Sequence, residues 1–131
     1  ITQRKGLNGT SIWSKTPPIQ EITTPDFDIE GRITSLEFDK FIIVTVYTPN
    51  SQSPKSDRHI FRTDEWDCKF LDYIKELDKI KPVVVCGDLN IAREDIDVFA
   101  PIRFKNKVAG FLDKERMNFS KDSGCGMGRH F

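Results

Sequence analysis

The sequence predicts a layered α/β fold, with helices packed on a β-sheet. Three observations predict it. Arg32 to Phe38 (RITSLEF) and Phe41 to Tyr47 (FIIVTVY) are neighbouring runs rich in β-branched residues, the pattern of paired strands. The apolar residues Trp66, Phe70, Ile74 and Leu77 recur at steps of four, four and three, which is one face of an α-helix. Val83 to Cys86 is apolar at every residue, the pattern of a strand covered on both faces.

Each element follows in order. Gly9 to Lys15 (GTSIWSK) sets small and polar residues around Ile12 and reads as a short strand, stopped by Pro17 and Pro18. Ile19 to Pro25, rich in Thr and closed by a proline, reads as a loop, and Phe27 to Gly31 as the approach to a turn. The two runs from Arg32 to Tyr47 read as a β-hairpin, joined at Asp39 and Lys40 without a glycine. Thr48 to Pro54 (TPNSQSP) reads as a loop, because its prolines and small polar residues leave little backbone for a ladder. Asp57 opens the helix that carries the apolar stripe, and Lys81-Pro82 ends it. Gly87 to Asn90 (GDLN) lies just past the buried run, where open α/β sheets gather ligands. Asp95 to Phe99 reads as a helical turn, Pro101 to Val108 (PIRFKNKV) as a basic loop, and Asp113 to Arg116 as the acidic start of a short helix. Ser123 to Gly128 holds too much glycine for a regular element.

Composition sets bounds on the class. With 131 residues, 37% hydrophobic and 31% charged, the chain suits one globular domain or part of one, and not a disordered, collagenous or coiled-coil protein. No apolar run approaches the roughly 20 residues that span a bilayer, and ITQRKG is no signal peptide, so an intracellular protein without a membrane partner is expected. The first residue is Ile1, as a fragment or processed piece would show. Cys68, Cys86 and Cys125 are an odd set, far apart, with only two histidines in the chain, so no disulfide or zinc framework is expected. Cys86 reads as a small core hydrophobe.

The net charge of +0 is unevenly spread. Residues 1–56 carry six basic and six acidic groups, residues 57–100 seven and eleven, and residues 101–131 seven and three. An anionic partner would meet a local basic patch and not a field from the whole chain.

Asp88 and Asn90, two apart on a turn leaving a strand, are both oxygen donors. A hard cation such as Mg²⁺, or a water attacking a phosphate, needs such a pair. The same residues also suit capping of the next turn, and GDLN alone leaves the two readings even. The wider sequence adds a resemblance. KGLNGTSIWSK (Lys5 to Lys15), DIEGRITSLEF (Asp28 to Phe38), VYTPNSQ (Val46 to Gln52), EWDCKFLDYIKELDKIKPVVVCGDLNIA (Glu65 to Ala92) and AGFLDKERMNF (Ala109 to Phe119) occur in this order. Together they resemble the exodeoxyribonuclease III type of apurinic/apyrimidinic endonuclease, within the endonuclease/exonuclease/phosphatase superfamily.

That resemblance implies a four-layer α/β sandwich of two sheets flanked by helices. It implies Mg²⁺-dependent hydrolysis of the DNA phosphodiester 5′ to an abasic site, Mn²⁺ as a substitute, and 3′-exonuclease or 3′-phosphodiesterase action in some members. Double-stranded DNA with abasic sites is the implied partner, and the protein is expected to be a monomer. Tyr47 resembles the family's active-site tyrosine beside the scissile phosphate, where a phenol donates to an oxygen gaining charge. Asn50 resembles a loop asparagine on the same phosphate, Asp88 the aspartate that orients or deprotonates water, and Asn90 its partner; Asp88 and Asn90 are also the implied metal ligands. Asp67, in EWD, resembles a carboxylate behind this group. Read without the resemblance, Tyr47 is a strand-end aromatic, Asn50 a turn residue and Asp67 an exposed helix charge.

Arg103, Lys105 and Lys107 resemble, as a loop, one that straddles the DNA backbone, and a solvated surface loop is the even alternative. Ala100-Pro101 and Val108 stand where the family has N-P and an asparagine before A-G-F, and the loop is longer by one. The resemblance covers the central part of the family domain: a metal-binding asparagine and glutamate would precede Lys5, and a later aspartate, the pocket aromatics and an S-D-H histidine would follow Phe119. Residues 120–131 form an atypical tail in which His130 follows Arg129, and His59 reads as a surface residue. Two alternatives stand beside this reading: another phosphoesterase of the superfamily, and an inactive module that binds nucleic acid. The first fits EGRITSLEF and YTPNSQ poorly. The implied location is nucleus or mitochondrion in a eukaryote and cytoplasm in a bacterium.

Overall fold

The computed structural model describes residues 7–120; the glycine-rich stretch from Ser123, Cys125, His130 and the rest of the tail past Ser120 lie outside them. The chain forms two compact units, one of Ile1–Thr48 with Asp72–Leu89 and one of Pro49–Leu71 with Asn90–Phe131.

The first unit is built on a four-stranded sheet in the order β1-β2-β3-β4. Strand β2 (Ile33–Glu37) runs antiparallel to both β1 (Gln20–Ile22) and β3 (Ile42–Tyr47), and β4 (Val83–Asp88) lies parallel to β3. The hairpin read from the sequence is present. Phe38 N donates to Phe41 O at 2.9 Å, and the two rings stack with centroids 5.3 Å apart, which closes a turn that has no glycine. Ile42, Val44 and Val46 alternate into the core, as strand periodicity requires. Ile74 and Leu77, from the stretch of α2 (Asp67–Asp78) beyond Leu71, are buried, and the Tyr73 hydroxyl is 2.8 Å from Ser35 Oγ.

Three strand readings change. Gly9 to Lys15 forms no strand, and Trp13 is 94% exposed. The extra strand is β1, inside the stretch read as loop, because β2 offers it a free edge: Ile19 N donates to Glu37 O at 2.7 Å and Gln20 Nε2 to Glu37 Oε2 at 2.6 Å. β4 is not covered on both faces; among the described residues it is the sheet's edge, with Val84 51% exposed and Cys86 also exposed. Cys86 is thus no core hydrophobe. Gly87 and Asp88 belong to β4 itself rather than to the turn beyond it. Gly87 has φ +122°, and a Cβ there would sit 2.1 Å from Val46 O, so strands β3 and β4 meet this closely only over a glycine. The α/β class stands, and the described residues hold one sheet of the two that the resemblance implies.

The second unit opens on a capped helix. Ser56 Oγ accepts from His59 N at 3.1 Å at the head of α1 (Asp57–Ile60). The helix widens to a π-helical stretch, Phe61–Trp66, and then becomes α2. Asp67 N donates to Arg62 O, five residues back, which is the π-type bond. Trp66, Phe70 and Leu71 are buried, and the Trp66 and Phe70 rings stack 6.5 Å apart. A 3₁₀ turn (Asp95–Asp97), α3 (Pro101–Phe104) and α4 (Asp113–Phe119) follow, so the basic segment is helical at its start, where Pro101 fits the first turn. Phe111, Leu112 and Phe119 complete this unit's apolar interior. His59 is half-buried, its Nδ1 3.5 Å from Ser51 Oγ, rather than a plain surface residue.

Candidate active site

In the first unit the chemistry collects at the C-terminal ends of the parallel strands. Tyr47 and Asp88 are direct partners in the β3–β4 register, so their side chains leave the same face. The residues before them on that face, Thr45 with Cys86 and Ile43 with Val84, are partly or well exposed. Thr48 N donates to Asp88 O at 2.9 Å and carries the pairing one residue further.

Beneath Tyr47 lies a residue the sequence did not single out. Arg32 is 5% exposed, with its guanidinium carbon 5.0 Å from the Tyr47 ring centroid and its Nη1 donating to Tyr47 O at 2.9 Å. Glu30 pairs with Arg32 Nε at 2.7 Å, and the buried Asp28 carboxylate accepts from Arg32 N at 2.7 and 2.9 Å and from Ile33 N at 2.8 Å. A cation under the ring and against its carbonyl fixes where the phenol stands. The segment DIEGR thus props Tyr47 through contacts that no local spacing rule reveals.

In the second unit the structure brings Asn50 and Asn90 together. Asn50 Nδ2 donates to Asn90 Oδ1 at 3.3 Å, and Asn50 Oδ1 accepts from Gln52 N at 2.7 Å. Asn90 sits at φ +48°, a left-handed conformation that asparagine tolerates better than most residues. Gly110, at φ +80°, packs so closely that a Cβ would lie 3.2 Å from Asn90 O.

Asp67 is buried, not an exposed helix charge. Its Oδ1 accepts from Arg62 Nε at 2.5 Å and its Oδ2 from Asn118 Nδ2 at 2.8 Å. Burial pushes the Asp67 carboxyl above the usual carboxylate range, against the pull of Arg62 and Asn118. Arg62, Glu115 and Asn118 are polar residues of this interior that sequence reading missed.

Arg103, Lys105 and Lys107 lie on a separate, exposed segment of this unit. Lys105 Nζ is 3.7 Å from Asp113 Oδ1. Asn106 holds the turn at φ +57°, trading bonds of 2.7 Å with the Asp113 side chain and backbone, and that amide holds the Asp113 carboxyl below its usual range. Arg93, Lys105 and Arg116 line an open cleft with Glu94 and Asp113, so the surface there is mixed in sign.

Asp88 and Asn90 are the oxygen donors assigned to a cation. Among the described residues no group of three or more His, Cys, Asp or Glu side chains stands close enough to hold a metal ion. Two donors gain little on Mg²⁺, which keeps most of its water, so the described residues do not by themselves make a resident Mg²⁺ site. No helix of the described residues is long and apolar enough to cross a membrane.

Comparison with known proteins extends this geometry. Residues 2–115 match the model of the Endonuclease/Exonuclease/phosphatase family. The chain is 43% identical over 124 residues to an exodeoxyribonuclease of Bacillus subtilis, covering 90% of this chain and 47% of that protein. It is 39% identical over 120 residues to a DNA-(apurinic or apyrimidinic site) endonuclease of Dictyostelium discoideum, covering 89% of this chain and 33% of that protein. The chain therefore spans half or less of the length of these relatives. Its fold is like that of a 3′ phosphatase from Neisseria solved with a product DNA hairpin, with a TM-score of 0.74 at 19% identity, over 81% of this chain and 42% of that one. A matched segment of this length, with the GDLN strand end and the TPN loop inside it, makes the chain a member of the endonuclease/exonuclease/phosphatase family.

Proposed function

We propose that the chain is part of a DNA-repair nuclease that hydrolyses the phosphodiester 5′ to an abasic site. The observation that carries this reading is the pairing of Tyr47 with Asp88 at the ends of two parallel strands. A phenol donor beside a carboxylate acceptor, both open to solvent on one face, is the pair that attack of water on a phosphate needs. The similarity to exodeoxyribonuclease and abasic-site endonuclease relatives supports the choice of DNA over other phosphate esters.

In this reading Asp88 orients the attacking water and takes its proton, and the Tyr47 hydroxyl donates to a phosphate oxygen as negative charge builds on it. Asn50 offers its amide to phosphate, and Asn90, which accepts from the Asn50 amide at 3.3 Å, takes the role of placing water. Arg103, Lys105 and Lys107 contact the DNA backbone, which makes binding salt-dependent without reading sequence. The protein acts as a monomer inside the cell, in nucleus or mitochondrion in a eukaryote and in cytoplasm in a bacterium. Mg²⁺, or Mn²⁺ in its place, is a requirement of the whole protein.

The test is incision of a labelled duplex with one abasic site by the full-length gene product. A nick 5′ to the site, needing Mg²⁺ and absent from the same duplex without the lesion, is the expected result. Binding of the duplex with no incision in Mg²⁺ or Mn²⁺ overturns the enzyme reading in favour of a nucleic-acid-binding module.

A further inference from the structure

We propose that Arg62 and Glu115, with Ser51 as their point of attachment, are positioning residues that fix the Asn50 amide against Asn90; this rests on the role proposed for Asn50 in phosphate binding. Both anchors end on the residues that flank Asn50. Arg62, fully buried, donates from Nη1 to Pro49 O at 2.9 Å while its Nε is held by Asp67 at 2.5 Å. Glu115, also fully buried, accepts from Ser51 Oγ at 2.5 Å through one carboxylate oxygen and from Leu112 N at 3.0 Å through the other. Ser56 Oγ adds a third tie, donating to Ser51 O at 2.5 Å.

Pro49 and Ser51 are buried by these ties, and Asn50 between them is exposed. The loop is therefore clamped at the carbonyls on either side of Asn50 and at one hydroxyl, with a single side chain directed outward. Asn118 backs the clamp, donating from Nδ2 to Asp67 Oδ2 at 2.8 Å and to Thr63 O at 2.9 Å.

The shape of the helix serves this clamp. At about 3.6 residues per α-helical turn, side chains five apart do not share a face. The π-helical stretch Phe61–Trp66 changes that offset and lets Arg62 meet Asp67. A guanidinium is the group that can grip a carboxylate and a carbonyl at once in a planar fork; a lysine cannot. An amide reaching a phosphate must be held to within about half an ångström to act in the transition state, which is what clamped neighbours supply.

The experiment uses the full-length protein, abasic-site duplex, and a double-mutant cycle of Ser51→Ala with Asn50→Ala, with Arg62→Lys as a second probe. Ser51→Ala is expected to stay folded by circular dichroism and to lower kcat about tenfold with little change in KM. In the Asn50→Ala background Ser51→Ala is expected to add no further loss, because the group it positions is gone. Equal loss in both backgrounds, or no loss in either, overturns the proposal. Side-chain amide signals of Asn50 in nitrogen-15 spectra give a readout that needs no activity. They are expected to move in Ser51→Ala and Arg62→Lys; unmoved signals in both folded variants also overturn it. Absence of incision by the wild type, with the amide signals moving as expected, strikes the functional reading and leaves the clamp standing.

Discussion

Asn90 joins a backbone demand to the catalytic role proposed for it. Its φ of +48° favours glycine or asparagine, and its Oδ1 takes the Asn50 amide. Asn90→Gly removes the amide and leaves the backbone at ease, whereas Asn90→Ala also strains it by about 1 kcal/mol. We expect Asn90→Gly to unfold at the wild-type urea midpoint and to lose about 100-fold in incision rate, while Asn90→Ala loses both stability and rate. Asp67 carries a pH signature. Its folded carboxyl titrates above the ordinary value near 3.8, so the folded state holds the proton more tightly than the unfolded one. The stability it contributes is full below 3.8 and is lost as pH rises through the folded midpoint. The difference in urea stability between wild type and Asp67→Asn is expected to shrink across that window, and a flat difference would contradict the burial of this carboxyl. At this scale the sequence was partly readable. Tyr47, Asp88, Asn50 and Asn90 lie at strand ends and on a proline loop, where chemistry is looked for. Arg62, Glu115 and Asn118 were not, because their partners Asp67, Ser51 and Asp67 stand 5, 64 and 51 residues away and no helix or strand spacing links them.

Among the elements, the hairpin and the long helix were legible because β-branched runs and a step of three or four residues report local geometry directly. β1 was not, since Gln20–Ile22 is a strand only by virtue of the free edge that β2 presents to it. The apolar composition of β4 shows what a strand accepts rather than what covers it, so it could not give the exposure of Val84 and Cys86. The π-helical stretch escaped for a related reason: one residue more than a regular turn leaves the apolar stripe from Trp66 onward intact. The β3–β4 pairing that sets Tyr47 beside Asp88 depends on Gly87. Gly87→Ala would place a methyl 2.1 Å from Val46 O at φ +122°, so the strands must part. We expect a loss on the order of 3 kcal/mol in urea unfolding, with incision lost as well. A folded Gly87→Ala protein of full activity would contradict the β3–β4 register.

For the whole molecule, the family assignment rests on a match over residues 2–115, and the chain spans half or less of the relatives on which the proposed activity draws. Large apolar side chains stand open on the described surface, among them Ile96 at 91%, Phe99 at 102% and Ile102 at 96% exposure. Singly exposed apolar residues are ordinary, but this many on one short segment favour association. The 131-residue chain in isolation is expected to bind a hydrophobic dye and to self-associate with rising concentration, and Ile96→Ser with Ile102→Ser to reduce both, as read by sedimentation. A monodisperse chain that binds no dye would contradict this.

The role proposed for Asp88, set beside Tyr47, is hydrolysis of the phosphodiester next to an abasic site. The most direct measurement is the single-turnover incision rate of the full-length protein against its Asp88→Ala variant on one abasic-site duplex, with DNA binding measured alongside. A fall of at least about 1,000-fold in rate with binding retained is the predicted result. Incision by Asp88→Ala at the wild-type rate would contradict it.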